Sequence, residues 1–309
     1  MKNLKAMILG TAVLTASMLS SAAISTWNGS VDGNWDTAGN WDNGVPTSTD
    51  QAIISNGDTV TKTGDLNILN NVGTDDDGLQ LTNGTLNVSG SLTSTTGYGT
   101  NSNPVSNIGV SDGSTTGSLV IGETFNLGNK SDSFSRTFTY NIFTGSSLSA
   151  DAFQGKAKSY SASTTGAGGW YLNVSGGSAS FNSFDFTDVT NLSRSITGQI
   201  TIGTTGTATG GTVNMGEVST DWDDFSNQYV LFNDNLGSLT FGKTNYANIT
   251  DVQTLIDNDY IRKDAGITNG FNIADNGSSW TVTVIPEPST FAMMFVAGMG
   301  MLVACRRRR

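Results

Sequence analysis

Short apolar runs alternate with small polar residues along most of the chain, from about residue 24 to residue 285. The runs have the period-two pattern of strands that bury one face and expose the other to solvent. Asn-Gly dipeptides, which readily supply the positive φ angles of tight turns, recur between them. The pattern predicts a mainly β protein, with strands at 52–55, 66–69, 79–81, 86–88, 119–121, 138–142, 171–174, 179–184, 200–202 and 212–215.

Related strand sequences recur along the chain. The string LNVSG occupies residues 86–90 and again 172–176, and similar strings occupy residues 118–122, 199–203 and 238–242. Their spacing is irregular, so a repeat of constant period is not supported. Short strands, many turns and a degenerate strand motif favour a parallel β-solenoid, in which each coil buries its inner face on its neighbours. An antiparallel β-sandwich or jelly roll is the alternative.

Three tryptophans near the start of this region, Trp27, Trp35 and Trp41, have two interpretations. A solenoid needs end caps, because its terminal coils would otherwise expose apolar faces and strand edges. Buried indoles would plug the N-terminal end, whereas exposed indoles stack on sugar rings. We favour the cap and keep a glycan-binding site as the alternative.

The other end of the solenoid is predicted to close with a helix and a hairpin. Apolar residues have helical spacing over residues 251–262, with Thr250 as the N-cap. Strands at 271–274 and 280–284 then form a hairpin through an Asn-Gly turn. We therefore expect a single body spanning residues 24–285.

Composition and charge limit the partners of this body. Gly, Ser, Thr and Asn make up nearly half of the 309 residues, and only 13% are charged. Six of the 15 basic residues, Lys2, Lys5 and Arg306 to Arg309, lie near the two ends of the chain, so residues 24–290 hold nine basic and 26 acidic residues, a net charge of −17. Because such a body repels nucleic acid and anionic lipid headgroups, we expect neither as a partner. Cations, neutral glycans and basic surfaces remain.

Histidine is absent, and the single cysteine is Cys305. The absence of histidine excludes Ser-His-Asp and Cys-His catalysis and histidine-based zinc sites. A lone thiol near the end of the chain leaves no internal disulfide, which suits an exported protein that avoids unpaired cysteines.

Residues 1–23 have the three parts of a secretory signal peptide. Two lysines precede an apolar run from Ala6 to about Leu19, and small residues follow at Ser21, Ala22 and Ala23. We expect signal peptidase to cleave after Ala23.

The C-terminal segment predicts a short membrane helix. Residues 291–305 carry no charge and would span about 22 Å as a helix, and Ser289 and Thr290 extend this run. Four arginines follow it: Arg306, Arg307, Arg308 and Arg309. By the positive-inside rule the C-terminus would lie in the cytoplasm and the body outside.

Pro286, Glu287, Pro288 and Ser289, followed by this apolar run and the arginines, resemble the PEP-CTERM sorting signal of exported bacterial proteins. The resemblance covers about 25 residues at 286–309. It implies that exosortase, a membrane enzyme, recognises Pro286-Glu287-Pro288 and cuts at or near the motif. The helix at about 289–305 would be a temporary anchor in the inner membrane and residues 306–309 a retention tail, before release to the cell surface or matrix.

The body has a less specific resemblance. Residues 27–57 look like the opening segment of bacterial surface β-helix proteins related to autotransporter passenger repeats, and residues 81–93 (LTNGTLNVSGSLT) look like one of their coils. The likeness implies a right-handed β-helix with a structural or adhesive surface role, and it supplies no catalytic motif.

Carboxylates concentrate at two places that are weak calcium candidates. Ca²⁺ takes about six to eight oxygen ligands, and neither stretch matches an EF-hand loop, so solvated loops are the favoured interpretation. We therefore expect no cofactor, with calcium at these stretches as the alternative. The residues are Asp75, Asp76 and Asp77 in the first stretch and Asp221, Asp223 and Asp224 in the second.

We expect a non-catalytic exported protein of the cell surface or extracellular matrix, structural or adhesive and associated with exopolysaccharide. The alternative is a polysaccharide lyase or hydrolase on a β-helix scaffold. Such an enzyme needs paired carboxylates, or a basic residue that acts as the base. Arg136, Lys156 and Arg194 are the basic candidates.

Overall fold

The computed structural model describes residues 23–48, 50–69, 78–95, 103, 105–129, 137–157, 169–186, 197–204, 209–219 and 228–286. These residues form two long sheets wound around one core. The strands are β1 (Ile24–Thr26), β2 (Gln51–Ile54), β3 (Thr59–Lys62), β4 (Leu66–Leu69), β5 (Gln80–Leu81), β6 (Gly84–Val88), β7 (Leu92–Thr95), β8 (Val105–Ile108), β9 (Gly117–Asn129), β10 (Thr137–Ile142), β11 (Ser147–Ala157), β12 (Gly169–Val174), β13 (Ser178–Asp185), β14 (Thr197–Ile202), β15 (Thr212–Asn214), β16 (Glu217–Val218), β17 (Gln228–Phe232), β18 (Ser238–Gly242), β19 (Ile261–Lys263), β20 (Phe271–Asp275) and β21 (Ser279–Val284). A 3₁₀ turn (Ala38–Asn40) and one α-helix, α1 (Ile249–Asp257), complete the described elements.

The strand order is that of a parallel β-solenoid of about six coils. Sheet 1 has the order β1-β2-β5-β8-β10-β12-β14-β17-β19, and each of its pairings is parallel. Sheet 2 runs β3-β6-β9-β11-β13-β15-β18 in parallel and ends with β21 and β20, which pair antiparallel. The predicted solenoid is confirmed, and the antiparallel sandwich or jelly roll is wrong. The right-handed winding stays a prediction.

Seven neighbouring strands of sheet 1, from β2 to β17, each add one apolar side chain to a continuous column in the core. The members of this column are 27 to 34 residues apart along the chain, which explains why no constant period appears in the sequence. All of them are 0% exposed, so the coils stack through a continuous line of buried side chains. The column consists of Ile54, Leu81, Ile108, Ile142, Val174, Ile202 and Phe232.

An aromatic cluster fills the middle coils. The Phe153 ring is 0% exposed and stacks on Phe184, with ring centroids 4.3 Å apart. Trp170 and Phe125 contact Phe153 edge-on, at 5.2 and 5.6 Å. Such pairs add about 0.5–1.5 kcal/mol each beyond the area that they bury. Several aromatic contacts of the described residues therefore lie in the middle coils.

The predicted helix at 251–262 is present but shorter. It ends at Asp257, and Ile261–Lys263 forms β19, which adds a parallel strand beside β17. The N-cap is Asn248 instead of Thr250, and the Asp251 carboxylate accepts a hydrogen bond of 2.9 Å from the Asn248 backbone N–H. The helix ends early because residues 261–263 instead pair with β17 at the edge of sheet 1.

The predicted closing hairpin is confirmed. β20 and β21 pair antiparallel through a turn in which Gly277 has a φ of +85°. Lys243 forms an ion pair with Asp275, and its ammonium lies 4.0 Å from the centre of the Trp280 ring. The Lys243 side chain holds the pKa of the Asp275 carboxyl below its usual value. These contacts fix the hairpin on the end of sheet 2.

Candidate functional site

The outer surface of sheet 2 carries two columns of small polar side chains, which we call the hydroxyl face. The two members on each strand are two residues apart, so both point away from the core. Between each pair lies an inward residue that is at most 1% exposed, from Val60 on β3 to Leu239 on β18. The first column is Thr59, Thr85, Ser118, Ser147, Ser178, Thr212 and Ser238, and the second is Thr61, Asn87, Val120, Ser149, Ser180, Asn214 and Thr240.

The hydroxyl face is regular because seven neighbouring strands of sheet 2 pair in register. Neighbouring strands are about 4.8 Å apart, and alternate residues of one strand are about 6.6 Å apart. Hydrogen bonds between side chains link neighbours in the columns, from Ser118 to Ser147 at 3.0 Å and from Ser238 to Thr212 at 3.4 Å. The face holds eleven hydroxyls, two amides and the half-exposed Val120, and none of these fourteen side chains is charged.

Exposed carboxylates lie beside the hydroxyl face. Each follows the second column by two to four residues on its coil, so the four mark one long border of the face. We call them the acidic row, and they are Asp65, Glu123, Asp151 and Glu217. The negative charge of the body is thus kept out of the face and placed next to it.

The outer surface of sheet 1 is also polar, and four of its amide side chains form one continuous row of hydrogen bonds. The Asn107 amide donates to Gln80 at 2.8 Å, Asn141 donates to Asn107 at 2.9 Å, and Asn173 donates to Asn141 at 2.9 Å. This amide ladder satisfies polar groups along the strands, as buried and half-buried amides require. It accounts for the alignment of Gln80, Asn107, Asn141 and Asn173 on neighbouring strands.

At the C-terminal end of sheet 1, an aromatic ring and a cation lie on the outer surface. The Tyr229 hydroxyl donates to Gln199 at 2.7 Å, and the Arg262 guanidinium lies 3.9 Å from the centre of the Tyr229 ring. Burial raises the pKa of the Tyr229 hydroxyl, and the positive charge of Arg262 opposes this rise. The cation–π contact ties β19 to β17.

A cleft of about 540 Å³ opens beside Arg262, between α1, β19 and β20. Arg262 and Lys263 line it together with Gln253 and Phe271. The Arg262 side chain donates to the Asp259 carbonyl, and the Lys263 ammonium donates to the Thr268 carbonyl at 3.3 Å. Both cationic side chains therefore hydrogen-bond to backbone carbonyls beside the cleft.

The three tryptophans form a buried cluster at the N-terminal end. Trp27, Trp35 and Trp41 are 2%, 2% and 4% exposed. Trp41 contacts both neighbours edge-to-face, at 5.1 Å from Trp27 and 4.8 Å from Trp35. Two of the indole N–H groups donate within the protein, from Trp27 to Asp58 at 3.0 Å and from Trp41 to the Trp35 carbonyl at 2.8 Å. This is the geometry of an end cap, with the rings packed against protein.

Several sequence-based candidates lie outside the described residues. Among them are both acidic stretches, at Asp75–Asp77 and Asp221–Asp224, and the sorting segment from Glu287 to Arg309. The basic catalytic candidates Arg136 and Arg194, and the side chain of Lys156, also lie outside the described part of the chain. Within the part of the chain that the structure describes, no group of three or more carboxylates or thiols is placed to hold a metal ion.

The sequence reasoning missed the hydroxyl face, although part of the signal was present. Pairs of Ser, Thr or Asn flanking one apolar residue occur on six of the seven strands, as in Ser147-Leu148-Ser149. Such a pair predicts an outward polar surface on one strand. The pairs align in two columns because of the register between neighbouring strands. This register cannot be read from the sequence, since the number of residues per coil varies.

Residues 284–309 match the PEP-CTERM protein-sorting motif. A search of curated proteins and a search of solved structures each found no match. The match begins at Val284, the last residue of β21, and the next residue, Ile285, donates its backbone N–H to the Gly270 carbonyl at 2.9 Å. The sorting signal therefore follows directly from the closing hairpin.

The match confirms the sorting signal recognised in the sequence. This signal implies an exported protein that an exosortase-type enzyme processes, with a transient membrane anchor before the body becomes extracellular. The residues that the structure describes include no helix with the length and apolar character needed to cross a membrane. The predicted helix at about 289–305 lies outside them. The chain is an exported β-solenoid that carries a PEP-CTERM sorting signal.

Proposed function

We propose that the protein is a non-catalytic structural component of the cell surface or extracellular matrix that associates with exopolysaccharide. The observation that carries this proposal is the hydroxyl face, an extended uncharged surface on a strongly acidic body. Neutral glycans offer many hydroxyl groups and no charge, so the acidic body does not repel them. Presentation of this surface outside the cell follows from the sorting signal.

We propose that the precursor matures through two cleavage steps. Signal peptidase removes residues 1–23, and the helix at about 289–305 holds the body on the outer side of the membrane with Arg306–Arg309 in the cytoplasm. Exosortase then cuts near Pro286-Glu287-Pro288. Mass spectrometry of the secreted protein should find a chain that begins near Ile24 and lacks the arginine tail. A population that retains Arg309 would instead indicate a stable membrane protein.

Matrix fractionation tests the proposed association. In cells that produce exopolysaccharide, the mature protein should sediment with the polysaccharide, and glycanase digestion of the matrix should release it. Recovery of the protein in the free supernatant, with matrix present, would contradict the proposal. Turnover of any neutral or acidic polysaccharide by the purified protein, measured by reducing ends or unsaturated products, would contradict the non-catalytic role.

A further inference from the structure

We infer that the hydroxyl face binds a neutral polysaccharide in an extended conformation, with the sugar chain lying along the columns. This inference rests on the proposed function and assigns the surface and the ligand class to it. The chemistry of the side chains, their geometry and the distribution of charge support it separately.

The side chains of the face suit hydroxyl-rich ligands. Each Ser and Thr hydroxyl offers one donor and two acceptor positions, and the amides of Asn87 and Asn214 offer both types of group. A sugar hydroxyl is likewise both donor and acceptor, so either partner can take either role. Ser and Thr side chains are short and lose little rotamer entropy on binding compared with Lys or Gln. The face therefore presents many weak polar contacts at low cost in entropy.

The geometry suits a polymer. Seven paired strands at about 4.8 Å give the columns a length of about 29 Å, and every strand adds a polar group to at least one column. The bond between Ser118 and Ser147 shows that neighbouring side chains reach each other along the column. A chain lying along the solenoid axis would meet a new pair of side chains at each strand. A compact ligand would use only one or two strands of this surface.

The charges select among polysaccharides. Carboxylates of an anionic glycan on the face would lie near the acidic row, where Glu123 and Asp151 are exposed. Like charges at this range repel, and the net charge of the body adds to the repulsion. A neutral chain does not meet this barrier. Binding through uncharged hydroxyls should also depend little on ionic strength.

A binding assay with the full chain in mild detergent tests the inference. Cellulose serves as the neutral probe, alginate as the anionic one, and the bound fraction is measured by depletion. The triple variant Ser149→Ala, Ser178→Ala and Ser180→Ala removes three adjacent hydroxyls in the centre of the face. Since each hydrogen bond contributes on the order of 1 kcal/mol, we expect binding to cellulose to weaken about tenfold or more.

The matched control makes the same type of change on sheet 1. Thr137→Ala with Thr139→Ala removes two outward hydroxyls from β10 and should leave binding unchanged. Circular dichroism and melting curves must show that both variants fold. Equal binding by the triple variant and the wild type would overturn the inference, as would stronger binding to alginate than to cellulose. Self-association that the triple variant abolishes, without binding to cellulose, would assign the face to a second copy of the chain and also overturn it.

Failure of the inference is distinguishable from failure of the proposed function. If the triple variant still sediments with the native matrix as the wild type does, the surface is assigned wrongly while the association stands. If neither protein sediments with the matrix, the proposed function itself fails.

Discussion

Replacing Trp35 with alanine removes one of the three buried indoles of the N-terminal cluster. The Trp35 side chain is 2% exposed and packs edge-to-face on Trp41, and its backbone carbonyl accepts the Trp41 indole N–H. Removing a buried indole leaves a cavity that neighbouring side chains fill only in part. Substitutions of this kind cost about 3–5 kcal/mol. We expect a loss of that size in the free energy of unfolding.

The effect should be greatest in the first coil. The Trp35 backbone N–H donates to the Thr61 carbonyl on β3 at 2.9 Å, so the cap contacts this coil directly. In a solenoid each coil contacts only its neighbours, and a lesion at one end weakens that end most. Amide hydrogen exchange in β2 and β3 should accelerate more than exchange in β17 and β18.

Denaturant unfolding followed by circular dichroism measures the magnitude, and hydrogen exchange with mass spectrometry measures the location. Val31→Ala is the matched control, because Val31 lies in the same segment and is 64% exposed. It should change stability by no more than about 0.5 kcal/mol. A loss below about 1 kcal/mol for Trp35→Ala would refute the cap. Unchanged folding with lost retention of polysaccharide would establish the glycan-site interpretation of the tryptophans instead.

Three further predictions concern the core, a turn and pH. Phe153→Ala should lower the free energy of unfolding by about 3–5 kcal/mol in denaturant titrations, and Phe153→Leu should cost clearly less; equal losses would contradict the role given to the aromatic cluster. Gly211→Ala should lower the melting temperature, because Gly211 has a φ of +152° and its new Cβ would lie 2.3 Å from a carbonyl oxygen of the neighbouring coil. Gly270→Ala, where the nearest atom would be 3.7 Å away, is its control, and equal melting temperatures would refute the clash. Burial raises the pKa of Asp50, but hydrogen bonds from Thr47 and a backbone N–H outweigh it, so the pKa is lowered. A lowered carboxyl pKa stabilises the fold above the unfolded value of about 3.9, and this stabilisation is lost as pH falls through the folded pKa. Asp50→Asn should remove that part of the acid dependence of the melting temperature, and an unchanged pH profile would contradict it.

Hydrophobic alternation predicted the position of strands better than their ends. Leu66–Leu69 has the predicted bounds, whereas the strand predicted at 119–121 extends over Gly117–Asn129. Gly122 and Glu123 interrupt the alternation, but the pairing with β11 continues beyond a register shift between Ala150 and Ala152. A bulge of this kind keeps a strand paired where the local pattern indicates an end.

The recurring string LNVSG shows what local sequence specifies and what it does not. In both copies the Leu and Val point inward, with Leu86 and Leu172 at 0% exposure, and the Asn points outward. The first copy lies in sheet 2 and the second in sheet 1. The string therefore specifies a strand followed by a turn, while its place in the coil depends on the lengths of the connections around it. For the same reason, the sequence alone did not reveal the columns of the hydroxyl face.

A structural role for the hydroxyl face is compatible with binding, and two measurements separate the roles. Polar pairs across strands stabilise a sheet by about 0.2–1 kcal/mol each, and the bond between Ser238 and Thr212 is of this kind. A face that served stability alone would lose melting temperature in the triple serine variant and keep its behaviour toward cellulose. The substituted side chains of Ser178 and Ser180 are exposed, so their removal costs little packing. A large loss of binding with a small change in melting temperature would therefore support direct contact between the face and the ligand.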